Sequence, residues 1–121
     1  MKTDKDIADR VRAIAAAQPD RRYEKPVGGR TCMYVHGDKP GCIMGQALHA
    51  EGVPLEILAE GEGLAVGSVL WHLEDWVTRD LSQPWVSWLG HVQAGQDSGK
   101  TWGGSVQFAD QMCGEAAILS P

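Results

Sequence analysis

Trp85-Val86-Ser87-Trp88-Leu89-Gly90-His91-Val92-Gln93-Ala94-Gly95-Gln96-Asp97-Ser98-Gly99-Lys100-Thr101-Trp102 is the stretch on which the fold turns. Trp85, Trp88, Leu89 and Val92 recur on one helical face, which predicts a helix over 84–95. Asp97-Ser98-Gly99 reads as a turn. Thr101 is placed to cap a last helix carrying Trp102, Val106, Ala109 and Cys113 at helical spacing. Two amphipathic helices joined this briefly are antiparallel neighbours, the unit of a helical bundle.

Moving toward the N-terminus, Val66, Val69, Leu70, Leu73, Trp76 and Val77 predict a helix over 65–79, broken by Ser82-Gln83-Pro84. Pro54 opens a short helix from Leu55 to Glu60, and Gly61 and Gly63 close it. Ile43, Met44, Ala47 and Leu48 predict a helix at about 42–51, with Gly52 where a C-terminal glycine is expected. The first helix has Thr3 or Asp4 as its cap, Ile7, Val11 and Ile14 on its apolar face, and Pro19 as its stop. Residues 19–30 read as an irregular connection. Thr31 to Val35 alternate like a strand, and His36-Gly37-Asp38-Lys39-Pro40-Gly41 is rich in turn residues. The expected fold is mostly α: a compact bundle of about six helices with one short β-strand or hairpin near residues 31–43. Residues 1–114 form one helical domain, and 115–121 are expected to be a flexible tail.

The 121 residues, 43% of them hydrophobic, can fill one core without staples. Five Trp against one Phe and two Tyr make that core unusual, because an indole N–H needs a partner when buried. At least one Trp is therefore expected at the surface edge. No run approaches the length of a membrane span, the N-terminus does not read as a signal peptide, and three Cys fit poorly with a disulfide scaffold. A cytoplasmic protein is the expectation.

Charge is unevenly placed. Residues 1–30 hold eight Lys/Arg and five Asp/Glu, a net of +3, whereas 31–121 hold three and eleven, a net of −8. Packing of the basic segment on the acidic body is the simplest reading. Nucleic-acid contact through Arg10, Arg12, Arg21 and Arg22 is a weaker one, since an acidic chain lacks the basic face of a dedicated binder.

The densest set of reactive residues is Cys32, His36, Cys42 and His49. Its spacing lacks the close Cys pair of a zinc turn, so no metal is expected, and these four are the alternative ligand set. Cys42 follows Pro40-Gly41 at a helix N-terminus, where the dipole favours a thiolate. A thiol-dependent enzyme or redox protein using Cys42, with His36 as base, is thus the alternative function. In that reading Cys42 reacts with alkylating agents and Cys113 does not. No glycine motif has dinucleotide or P-loop spacing, no carboxylate dyad is evident, and no cofactor is expected.

Two blocks carry a resemblance. One is Cys32-Met33-Tyr34 to Pro40-Gly41-Cys42-Ile43-Met44-Gly45-Gln46-Ala47-Leu48; the other is Val92-Gln93 to Gln96-Asp97-x-Gly99-x-x-Trp102. Over residues 4–112 the chain resembles small proteins of actinobacteria and their phages that carry no assigned activity. The resemblance transfers no site residues. It implies an accessory or phage-encoded protein that acts by binding a host protein. The function expected is therefore a non-enzymatic binding or regulatory module working through protein–protein contact, with a homodimer as one form. Trp71, Trp85, Trp88 and Trp102 are its candidate anchors, with His91 and Gln93 as polar rim.

Overall fold

The computed structural model describes residues 2–24, 33–78 and 83–113. The two C-terminal helices, α5 (Gln83–Asp97) and α6 (Trp102–Cys113), pack along each other as a hairpin, as the patterning predicts. Their turn is closed by Gly99 at φ 94°, a conformation that favours glycine. Gly95 lets the helices approach closely, because a Cβ there would press on Ser105 of α6. Thr101 caps α6: its Oγ1 accepts the Gly104 N–H at 3.0 Å. The remaining free amides at that end donate to the preceding chain, Trp102 N–H to the Arg21 carbonyl (2.7 Å) and Gly103 N–H to the Pro19 carbonyl (2.9 Å).

The first helix, α1 (Asp4–Ala17), begins with a capping box in which Thr3 and Asp6 bond reciprocally. Its buried stripe of Ile7, Ala8, Val11 and Ala15 lies against α5, α6 and the next helix, α2 (Ile43–Ala50). Between α1 and α2 stands a two-residue antiparallel hairpin, β1 (Val35–His36) with β2 (Lys39–Pro40), turned by Gly37 at φ 63°. The hairpin falls inside the expected 31–43 window, although the strand begins at Val35. Thr31 and Cys32 lie outside the described residues, as do residues 115–121 and the tail expected there. Then follow α3 (Leu55–Glu60) and α4 (Val66–His72), so six α-helices occupy the described residues. Gly52, at φ 107°, ends α2 as expected.

One predicted helix is shorter than its periodicity. The pattern over 65–79 runs on to Val77, but α4 ends at His72. Val77 keeps its helical spacing through a single turn, its N–H bonding the Leu73 carbonyl at 2.8 Å. It is then held by a parallel bridge to Lys2, with Lys2 N–H on the Trp76 carbonyl and Thr78 N–H on the Lys2 carbonyl. Tertiary pairing of the backbone replaces helix continuation, and Val77 is buried all the same.

Helices α2, α3 and α4 begin without a side-chain cap of their own, and for two of them another helix supplies the acceptor. Neither Cys42 before α2 nor Ala65 before α4 makes a side-chain cap bond. Both are served from α5. The Ile43 N–H donates to Gln96 Oε1 at 2.8 Å, and the Val66 N–H donates to Gln93 Oε1 at 3.0 Å. Gln93 Nε2 then donates to the Tyr34 hydroxyl (2.9 Å), which donates to the Leu64 carbonyl (2.7 Å). Gln93, Gln96 and Tyr34 are all buried, so these bonds satisfy groups that water does not reach. Glycines let the backbone close around this junction: a Cβ at Gly45 would collide with the Tyr34 carbonyl, and one at Gly41 with the Met33 carbonyl. Glu62 fastens the hairpin, its carboxylate accepting the Tyr34 N–H at 2.6 Å.

A second polar knot joins α1, α5 and α6. Arg12 donates twice to Asp110 (3.2 and 2.6 Å), and the Trp88 indole N–H donates to the same carboxylate at 2.8 Å. Burial pushes the Asp110 carboxyl up, but the bonds from Arg12 and Trp88 and the Arg12 charge outweigh it and hold its pKa below the ordinary value.

Two outcomes follow from these junctions. Gln96→Leu strands the buried Ile43 amide and should cost about 1–3 kcal/mol in urea unfolding, with the slope unchanged; a loss under about 0.5 kcal/mol, within the range of surface changes, would show that the cap is dispensable. Asp110 contributes stability above its unfolded pKa of about 3.9, and loses it as pH falls through the lower folded value. The stability gap between wild type and Asp110→Asn should therefore be widest near neutrality and narrow steadily in acid; a gap constant from neutrality to acid would contradict the assignment.

Candidate functional site

The six candidate binding residues separate into core and surface. Trp85, Trp88 and Trp102 are buried, Trp88 and Trp102 completely, whereas Trp71 on α4 is 55% exposed. The expectation of one surface Trp is met by Trp71, and the grouping of all four as anchors is corrected. The reason lies in the N-terminal segment. Lys5 stands 5.9 Å from the Trp85 ring, Arg12 4.6 Å from Trp88 and Arg21 4.3 Å from Trp102, so each buried indole sits under a cation from residues 1–30. Gln93 is likewise no rim residue; its amide is spent on Val66 and Tyr34. His91 is half-buried, its Nδ1 2.8 Å from the Ser87 carbonyl and its ring edge-on to Phe108.

The two blocks that carry the sequence resemblance meet in the interior. Tyr34 and Ile43 belong to one, Gln93 and Gln96 to the other, and the bonds between them form the buried junction described above.

The chemical alternatives meet a steric obstacle. Cys42 is fully buried at the head of α2 and offers no surface to a substrate. His36 turns elsewhere, its Nε2 lying 2.8 Å from the Tyr23 hydroxyl. His49 Nδ1 is 3.0 Å from the Val53 carbonyl, and Cys32 lies outside the described residues. Among the described residues no three His, Cys, Asp or Glu converge as a metal-ligand group. The more accessible thiol is Cys113, half-buried at the end of α6, with Sγ 3.6 Å from His91 Nδ1. This reverses the order of reactivity that the thiol reading of Cys42 requires.

Sequence reasoning missed the cleft beside the hairpin. Residues 20–24 run past β1 and β2 and enclose about 700 Å³ lined by Asp20, Arg21, Arg22, Tyr23, Glu24 and His36, with Lys39, Pro40 and Gly41 opposite. The Tyr23 hydroxyl accepts the Met33 N–H at 3.0 Å and pairs with His36, fixing one wall. No periodic or motif signal marks Tyr23, because it lies in an irregular segment and meets His36 only in the fold. Compared with known protein families, curated proteins and solved structures, the chain matches none.

Brief iodoacetamide treatment of the folded protein, followed by peptide mapping, should label Cys113 and leave Cys42 intact until urea is added. Labelling of Cys42 at the Cys113 rate would return the thiol reading to contention.

Proposed function

We propose that the chain is a non-enzymatic binding module that acts through protein–protein contact, with Trp71 as the anchor of its contact surface. The observation that carries the reading is the contrast among the indoles. Trp85, Trp88 and Trp102 are buried under cations of the N-terminal segment, while Trp71 leaves more than half its surface in water. Solvating a large amphipathic ring forfeits burial worth about 25 cal/mol per Å² of apolar surface, and indoles are enriched where a partner later covers them. The host-protein role implied by the sequence resemblance agrees with this. So does the burial of Cys42, which removes the nucleophile of the enzymatic alternative from any substrate's reach.

The test compares wild type with Trp71→Ala as baits in a lysate of the native host, alongside sedimentation of each protein alone. Trp71→Ala should melt within a few degrees of wild type, since an exposed position contributes within about 0.5 kcal/mol. It should lose the retained partner, truncation of an anchoring indole costing about 2 kcal/mol or more in binding. A wild-type dimer dispersed by the same substitution would identify the partner as a second copy. Identical sets of retained proteins, with both chains monomeric, would sink the proposal.

A further inference from the structure

The described cations fall into two groups. On and beside α1, Lys2 and Arg10 pair with Glu51 (3.5 and 2.7 Å), Lys5 with Asp9 (3.1 Å) and Arg12 with Asp110 (2.6 Å). The other described Lys and Arg residues are Arg21, Arg22, Lys39 and Lys100, and none of them forms an ion pair with a described carboxylate. These four are not scattered. Arg21, Arg22 and Lys39 line the cleft of about 700 Å³ beside the hairpin, and Arg22 and Lys100 line an adjoining hollow of about 320 Å³. Arg22 is the wall common to both. In a chain of net charge −5, every described cation without a described carboxylate partner thus lines one of two cavities that share Arg22.

The groups are also held in place. Arg22 Nε donates to the Gly99 carbonyl at 3.1 Å, which fixes the guanidinium while its two terminal nitrogens have no partner among the described residues. Arg21 is stacked on Trp102 and tied to Gln18 through one terminal nitrogen at 2.9 Å. The Lys39 side chain, on β2, makes no hydrogen bond or ion pair among the described residues, and Lys100 lies 5.4 Å from the Phe108 ring. Tyr23 and His36 supply a hydrogen-bonding wall. Asp20 and Glu24 also line the cleft, yet neither pairs with these cations. Two guanidinium groups held by neighbours and an ammonium lining the same cleft supply the charge and the donors that a phosphate takes, and the volume falls in the range of small-ligand sites, about 300–1,000 Å³.

We infer that the cleft between residues 20–24 and the β1–β2 hairpin binds a phosphate group of a small molecule, held by Arg22, Lys39 and Arg21. The site does not depend on the Trp71 surface, so either stands or fails alone.

The experiment is an amide-resolved NMR titration of the full chain with inorganic phosphate and, separately, with AMP. Saturable shifts should centre on residues 20–24, 36–41 and 99–101. Lys39→Ala, which removes no protein hydrogen bond, and Arg22→Ala, checked by its melting curve, should each weaken binding about tenfold, the loss expected for one charge-assisted bond. Arg10→Ala, outside the cleft, should leave it unchanged. Tighter binding of AMP would assign the group to an organic ester, and equal binding to free phosphate. The inference is overturned if neither probe saturates by about 10 mM, well above the 1 mM affinity worth about 4 kcal/mol. Binding that survives both cleft substitutions, or moves to α1, overturns it equally.

Discussion

Buried amide groups that cannot reach water set the terms for this molecule. An α-helix leaves its first N–H groups unpaired, and a terminus pushed into a core must find acceptors from elsewhere. The chain meets this for α2 and α4 with two glutamines one turn apart on α5. Gln96 takes the Ile43 amide, and Gln93 takes the Val66 amide while reaching on to Tyr34. Without them, the Ile43 and Val66 amides would lack a side-chain acceptor, since neither Cys42 nor Ala65 makes a cap bond. The positions of the hairpin, α2 and α4 relative to the α5–α6 pair all trace back to these bonds.

The same economy governs the indoles. A Trp core is heavy and needs both polar partners and flat neighbours, and α1 with its following segment supplies cations to the ring faces. Trp88 is fully served, with Arg12 over its face and Asp110 on its N–H. Trp85 and Trp102 are stacked but keep a buried N–H without an acceptor among the described residues. The cations of the chain's opening are therefore paired as far as Arg12, by Asp9, Glu51, Asp110 and the rings. Beyond it, Arg21 and Arg22 turn toward the cleft.

Much of the architecture was legible. Helical spacing located five of the six described helices and Pro54 with its closing glycines marked α3, Thr101 and Thr3 behaved as caps, and Gly37, Gly52 and Gly99 adopt the positive φ that turns and helix ends require. The failure at Val77 is instructive: a backbone bridge to Lys2, 75 positions away, satisfied the same apolar spacing that a helix would have. The site was far less legible. Periodicity places Trp85 and Trp88 on an apolar stripe and leaves Trp71 off the one formed by Val66, Val69, Leu70 and Leu73, but only the packing of whole helices tells which faces are covered. Cys42 at a helix head suggested an activated thiol, whereas the collapse of Gly41 and Gly45 against the 33–34 backbone closes it from solvent.

What the sequence determined by itself is the inventory of elements and those ends that a cap, a proline or a glycine marks, because helix period, capping and glycine conformation act within a few residues. What only the tertiary structure decided is which side chains face water and which face one another. Gln93 and Gln96 became caps, three tryptophans became core and Arg21, Arg22 and Lys39 were gathered around one cleft through contacts between residues tens of positions apart. Such pairings depend on the packing of whole helices, which no local pattern encodes.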